Sequence, residues 1–218
     1  IDKGTALEAT KAFASGEADL AVARGDVGDL SAARAVVIIT HAVALLVVPP
    51  GSTMASMDDL KGKAVGVIGG DLNHQLVEVI TKEYDLVRAK VQFKNLALKD
   101  IQPAFQSKQV SALLVVMPIS EKYLSMLREM FPAKGKQALG LIPIESAGAI
   151  AAIARAYESY DLPKGTVRGS PPIPDDDLTT LRVPFYLVAN KKLDDDVVGN
   201  LTKAFMDARR DLLGEYPL

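Results

Sequence analysis

The run from Ala35 to Val48, AVVIITHAVALLVV, closed by Pro49-Pro50, constrains the fold more than any other stretch. A membrane-spanning helix needs about 20 consecutive apolar residues. This run is shorter and carries His41 in its middle. Its Val and Ile content and its proline stop read instead as buried β-structure. We expect two buried strands, joined near Thr40-His41-Ala42. Strands buried on both faces need neighbours in the sheet and helices above and below it.

The rest of the chain supplies them. Ala6, Leu7, Thr10 and Phe13 recur at helical spacing, and Ser15-Gly16 stops that helix before a buried strand, DLAVAR, over Asp19 to Arg24. Asp58-Asp59-Leu60 suits one helical turn, Gly62 its stop and Ala64 to Ile68 a strand. Gly69-Gly70-Asp71 then opens a helix with Leu76, Val77, Ile80 and Tyr84 on one face. A short strand near Val91-Gln92-Phe93 is followed by a helix through Ile101, Ala104 and Phe105. The strand Ala112 to Val116 precedes a helix carrying Tyr123, Leu124, Leu127 and Phe131. A strand over Leu139 to Ile142 leads into a helix from Glu145 to Tyr157. Four prolines and an acidic run mark Asp161 to Asp177 as a long connection. Val183 to Ala189 is the last strand, and Asp194 caps a final helix bearing Val197, Val198, Leu201, Phe205, Ala208 and Leu212. Alternating strands and helices predict an α/β fold with parallel-rich sheets flanked by helices.

The sequence also echoes itself. Ala12-Phe13-Ala14-Ser15 precedes the strand DLAVA, and Ala104-Phe105-Gln106-Ser107 precedes ALLVV, 92 residues later. Two helix–strand units of one build predict two similar lobes.

Composition removes several kinds of chemistry. With no cysteine there is no disulfide framework, thiolate nucleophile or Cys-ligated zinc, and His41 and His74 alone do not make a His-rich zinc site. A net charge of -2 gives no basic excess for nucleic acid, so no nucleic-acid partner is expected. Neither phosphate-cradling glycine motif occurs, and no G-x-S-x-G or spaced triad marks a nucleophile. We expect a non-enzyme with no cofactor. Ile1 opens no basic-then-apolar leader, which is expected of a cytoplasmic chain or of one already processed.

The residues that stand out lie at strand ends. In open α/β sheets, ligands collect beyond the carboxyl ends of the strands. Arg24-Gly25-Asp26 follows one strand, Gly69-Gly70-Asp71-Leu72-Asn73-His74 a second, and Met117-Pro118-Ile119-Ser120 a third. Glycine lets a ligand approach the backbone, and a helix N-terminus presents N–H groups and a positive dipole end to a carboxylate or phosphate. Arg24 suits bidentate contact with a carboxylate. Each feature also has a plain structural reading: a tight turn, a helix cap, or an ion pair of Arg24 with Asp26 or Asp29. Their convergence on three strand ends favours a small anionic ligand. His41 reads as a core or turn histidine, Asp175–Asp177 and Asp194–Asp196 as caps and solvated loops, and Met54 with Met57 as packing.

Longer stretches carry a family likeness. ASGEADLAVARGD followed by ALLVVPPGSTMASMDDLKGKAVGVIGGDLNHQLVEVI resembles the type 2 periplasmic binding proteins, with the DLKGK step inside Ser56 to Val67. The later succession is similar to the TAXI family of TRAP transporter solute receptors. Its marks are the Pro163–Thr166 turn, the Thr-x-x-Val-Pro strand of Thr180–Pro184 and the Leu201–Phe205 helix segment. The resemblance implies a two-lobed, extracytoplasmic (periplasmic) receptor. It would capture a small anionic solute, an acidic amino acid or organic acid, in an interlobe cleft for the permease subunits of a TRAP transporter. Lobe I would comprise residues 1–60 and 183–218, and lobe II residues 61–182. Arg24, Gly25 and Asp26, the Gly69–His74 turn, Met117, Pro118 and Ser120, with Phe185 and Tyr186, would line the cleft.

The family opens with a strand, a Gly-rich loop and a helix, whereas Ile1 stands directly before a later helix. Lobe I is therefore expected to lack its opening strand-helix unit. A membrane anchor beyond the ends is open. The alternative is the effector-binding domain of a transcription regulator of the same fold, and a further one an enzyme acting on a thiamin precursor.

Overall fold

The computed structural model describes residues 2–132 and 137–215, the stretch 209–215 by its backbone alone. The side chain of Leu212 lies outside the described residues. Helix α1 (Ala6–Ala14) starts at Thr5, whose side chain accepts the Glu8 N–H, and leads to β1 (Leu20–Arg24) and β2 (Ala33–Val48). A 3-10 turn over Met57–Leu60 precedes β3 (Ala64–Ile68), and a second over Gly70–Asn73 precedes α2 (His74–Glu83). Next come β4 (Gln92–Leu96), α3 (Ile101–Gln106), β5 (Ala112–Met117), α4 (Glu121–Met130), β6 (Gly140–Ile142) and α5 (Ala147–Ile153). The last described elements are β7 (Glu158–Leu162), β8 (Arg168–Gly169), β9 (Pro172–Ile173), β10 (Leu178–Asn190) and α6 (Asp195–Glu215).

The fold is α/β, and its main sheet is mixed rather than parallel-rich. Hydrogen bonding runs β1-β10-β2-β5-β3-β4, with β6 on β2 and β7 on β10. β3 is parallel to both β4 and β5. β1 on β10, β7 on β10, and β5 and β6 on β2 are antiparallel. The chain forms two compact units: Ile1–Ala42 with Val183–Leu218, and Val43–Arg182. β2 and β10 each pass from one unit to the other, so the first division falls inside β2 rather than after the Met57–Leu60 turn.

That is also why the two expected strands are one. Thr40-His41-Ala42 contains no glycine or proline, and β-branched Thr40 suits continued extension, so the run goes on through 16 residues. Burial changes along it: from Ala42 to Val48 every residue is buried, whereas none before Ala42 is. Other expectations shift by shorter distances. The helix foreseen to Tyr157 ends at Ile153; Tyr157 N–H donates to Ala154 O, and β7 follows. The long connection is largely ordered, because Val167 N–H donates to Ile173 O, Gly165 N–H to Pro174 O and Lys164 N–H to Asp177 Oδ1. The last strand begins at Leu178, where β7 pairs with it from Leu178↔Leu162 to Arg182↔Glu158.

The sequence echo is an echo of hydrogen bonds. At the end of α1, Ser15, Gly16 and Glu17 donate to Lys11, Phe13 and Ala12. At the end of α3, Ser107, Lys108 and Gln109 donate to Pro103, Phe105 and Ala104. Both are left-handed helix stops, with Gly16 at φ 80° and Lys108 at φ 57°. In the first unit Phe13 of α1 packs with Ala23 of β1 and Val188 of β10. In the second, β2 and β5 build a core with α3 and α4 through Val43, Leu45, Leu113, Val115, Ile101 and Leu127.

Candidate functional site

In the second unit the parallel register brings two of the three expected strand ends to one edge. Val67 of β3 stands beside Leu114 of β5, so the turn after Ile68 and the loop after Met117 leave the sheet on the same side. Gly69 takes φ 94°, a left-handed conformation that side chains disfavour, and an added Cβ would lie 3.0 Å from Asn73 Nδ2. Asn73 is 1% exposed, and its Nδ2 donates to Ile68 O at 2.6 Å, tying the turn to the end of β3. Gly70 takes φ 51°.

This turn differs from the expected helix start. It is a 3-10 turn, in which Leu72 N–H donates to Gly69 O and His74 N–H to Asp71 O. Those two donors are spent on the turn itself. Asp71 and His74 are exposed, Leu72 half-buried. Across from the turn, Met117 is 6% exposed and paired with Val43, and Pro118 is half-buried. Ser120 is the extended N-cap residue of α4 and makes no side-chain capping bond, so its hydroxyl is not committed to the helix. Glu121 beside it is held below the ordinary carboxylate range by hydrogen bonds from Ser125 and Arg128.

Sequence reasoning missed Asn95. It is the penultimate residue of β4 and lies beside Gly70, where a Cβ on the glycine would lie 3.7 Å from Asn95 Nδ2. Its signal was its place near the carboxyl end of a third parallel strand, one residue before Leu96. The edge thus gathers amide and hydroxyl groups around a glycine turn, with Asp71 and His74 at its rim. Such groups orient a small polar solute by hydrogen bonds.

The third strand end belongs to the first unit. Arg24 is 1% exposed, and its Nε and Nη2 meet Asp26 Oδ1 and Oδ2 at 2.5 and 3.0 Å. The ion-pair reading of Arg24 therefore holds, but as a buried pair rather than a surface one. Asp26 engages the guanidinium through Nε and Nη2, a bidentate contact of the kind that suits a ligand carboxylate. Gly25 N–H donates to Pro184 O at 2.9 Å, and a Cβ there would lie 3.1 Å from Tyr186 Cε2. Phe185 and Tyr186 face opposite ways: Tyr186 stands opposite Ala23 and packs with Phe13 and Val188, whereas Phe185 stands opposite Arg24.

Two further features complete the description. A groove of about 510 Å³ in the second unit is lined by Pro49, Met54, Phe105, Val110 and Phe131, with Lys108 as its charged residue, and contains none of the expected site residues. Among the described residues no three His, Asp or Glu side chains come together to hold a metal ion. No helix among them is long and apolar enough to cross a membrane.

Comparison with solved structures places this fold among the two-lobed binding proteins. The substrate-binding protein of an amino acid ABC transporter matches with a TM-score of 0.51 and 15% identity, over 95% of this chain and 74% of that one. An arginine third transport system periplasmic binding protein from Legionella pneumophila gives 0.50 and 16%, over 94% and 75%. The GluR0 ligand-binding core from Nostoc punctiforme, in complex with L-glutamate, gives 0.51 and 10%, over 94% and 76%. Identities this low carry the fold and no more. A search of the curated proteins finds no match. The sequence model of the NMT1-like family matches residues 3–216, and the chain belongs to that family.

Proposed function

We propose that this chain is an extracytoplasmic solute-binding protein that captures a small carboxylate-bearing solute, an amino acid or organic acid, for a membrane transporter. One observation carries the reading: a left-handed glycine turn, pinned by buried Asn73, shares a sheet edge with the uncommitted Ser120 hydroxyl and Asn95. The fold supports it, because its structural neighbours are named for amino acid binding and transport. In this reading the backbone around Gly70 and Asp71, together with Ser120 and Asn95, holds the carboxylate, and Asp71 suits the ammonium group of an amino acid. Arg24 is a positioning residue for its strand end rather than a ligand contact. The Pro163–Thr166 and Thr180–Pro184 segments favour a TRAP-type permease as the membrane partner, and the solute-binding reading holds for an ABC permease equally.

The test is a thermal-shift screen with glutamate, glutamine, arginine and small dicarboxylates. A ligand at one hundred times its Kd stabilises by about 2.7 kcal/mol, which raises Tm by roughly 5–11 °C in a chain this long. Ser120→Ala and Asn95→Ala should each reduce that shift. A flat response across the panel, or a full response in both variants, would overturn the reading.

A further inference from the structure

The opposite edge of the second unit has a different character. Because β3, β4 and β5 run parallel, the three turns that enter them also share one side. Hydrogen bonds join these turns: Gly62 N–H to Ala89 O at 2.9 Å, Gln92 N–H to Lys63 O at 3.0 Å, and Ser111 N–H to Ala64 O at 2.8 Å. Lys61, Lys63, Arg88, Lys90 and Lys108 are exposed on them, in a chain whose net charge is -2. Among the described residues none of the five is ion-paired to a carboxylate. The acidic groups nearby are Asp58, Asp59 and Asp85; Asp59 accepts from the N–H groups of Ala55 and Ser56 and from the Ser56 hydroxyl, and Lys63 adds a weaker attraction to it without forming an ion pair.

An apolar tip stands among these cations. Val87 is 77% exposed, more than any other large hydrophobic residue among those described. The turn that carries it is held rather than loose. Leu86, 2% exposed, anchors it, with Leu86 N–H donating to Thr81 O, Lys90 N–H to Val87 O and Val91 N–H to Leu86 O. Two non-glycine residues, Asp85 at φ 47° and Lys90 at φ 57°, bracket the turn in left-handed conformations that cost energy. The fold thus spends strain on a turn that exposes a valine between Arg88, Lys90 and the neighbouring lysines.

We propose that this edge rests on an anionic phospholipid surface. Lys61, Lys63, Arg88 and Lys90 bind the lipid phosphates, and Val87 enters the boundary between headgroups and acyl chains. Long basic side chains keep their charges in the headgroup layer while an apolar neighbour sits deeper. Each cation near an anionic bilayer surface strengthens binding about fivefold, less at high salt. The surface lies at the end of the strands away from the glycine turn, so it leaves the candidate solute site uncovered.

The test uses the whole chain with vesicles. Co-sedimentation should show binding to phosphatidylglycerol-containing vesicles, little to pure phosphatidylcholine, and release by salt. Lys63→Glu with Lys90→Glu should weaken binding at least tenfold, and Val87→Asp similarly, with melting temperature unchanged because these side chains are exposed. The chain contains no tryptophan, so the single indole of Val87→Trp reports depth directly. Its emission should shift blue on anionic vesicles. Absence of vesicle binding, binding that survives the charge reversals, or an indole still in water when vesicles are bound would each overturn the proposal. Selective binding of an acidic protein face in place of vesicles would overturn it too.

Discussion

Removing the charge from Asp26 should destabilise the protein far more than removing any exposed carboxylate. The side chains of Arg24 and Asp26 are 1% and 0% exposed, and two hydrogen bonds of 2.5 and 3.0 Å join them. Asp26→Asn keeps the shape and one acceptor oxygen but leaves a guanidinium charge in the interior without its counter-charge. Breaking a buried pair this way costs about 3–5 kcal/mol. In a chain this long, each kcal/mol lowers Tm by roughly 2–4 °C, so a fall of about 6–20 °C is expected. Urea unfolding followed by circular dichroism gives the free energy, and an unchanged m-value confirms that the native state is intact. Replacing both partners by apolar residues, Arg24→Met with Asp26→Leu, should recover most of the loss, since the desolvation penalty goes with the charges. The Arg34–Asp195 pair is the control: Asp195 is 87% exposed, and its loss should scarcely register. An Asp26→Asn cost under about 1 kcal/mol would refute the reasoning, because it would put the pair in water.

Two further outcomes follow from local geometry. Gly28 takes φ 73°, and an added Cβ would lie 2.6 Å from Thr10 Cγ2, so Gly28→Ala should cost about 2 kcal/mol or more in a urea melt. Thr10→Ser removes that methyl and should relieve the clash but not the backbone strain. Hydrogen bonds from Ala55 N–H, then Ser56 N–H, hold Asp59 below its ordinary carboxylate value of 3.8. A carboxylate lowered on folding stabilises above its unfolded pKa, and that contribution is lost as pH falls through the folded one. Carboxyl NMR should place the Asp59 midpoint below 3.8, and Asp59→Asn should flatten part of the acid limb of the stability curve.

Local order was written in the chain at short range. Helix α1 reads from Thr5 and the apolar spacing to Phe13, and its stop reads from Ser15-Gly16, because caps and periodicity act within one or two turns of chain. The repeat of that stop at Ser107-Lys108 was legible for the same reason, although Lys108 conceals the left-handed position that Gly16 announces. The glycine turn after β3 was legible too, because few residues besides glycine accept φ 94°. The candidate edge formed by Gly69, Asn95 and Ser120 was legible only in part. Asn95 carries no motif, and it joins the others through the parallel register of β3 with β4 and β5.

What the sequence by itself determined was therefore the elements, their punctuation and the residues at the strand ends. Tertiary structure alone decided that Ala33–Val48 is one strand, since its continuity depends on pairing with strands distant in the chain. It also decided that Arg24 closes on Asp26 in the interior, and that Phe185 and Tyr186 face opposite ways. A carboxylate two residues from an arginine reads the same whether solvent or a packed sheet surrounds it. Burial is set by what packs against the pair, and here that is β10, more than 150 residues away along the chain.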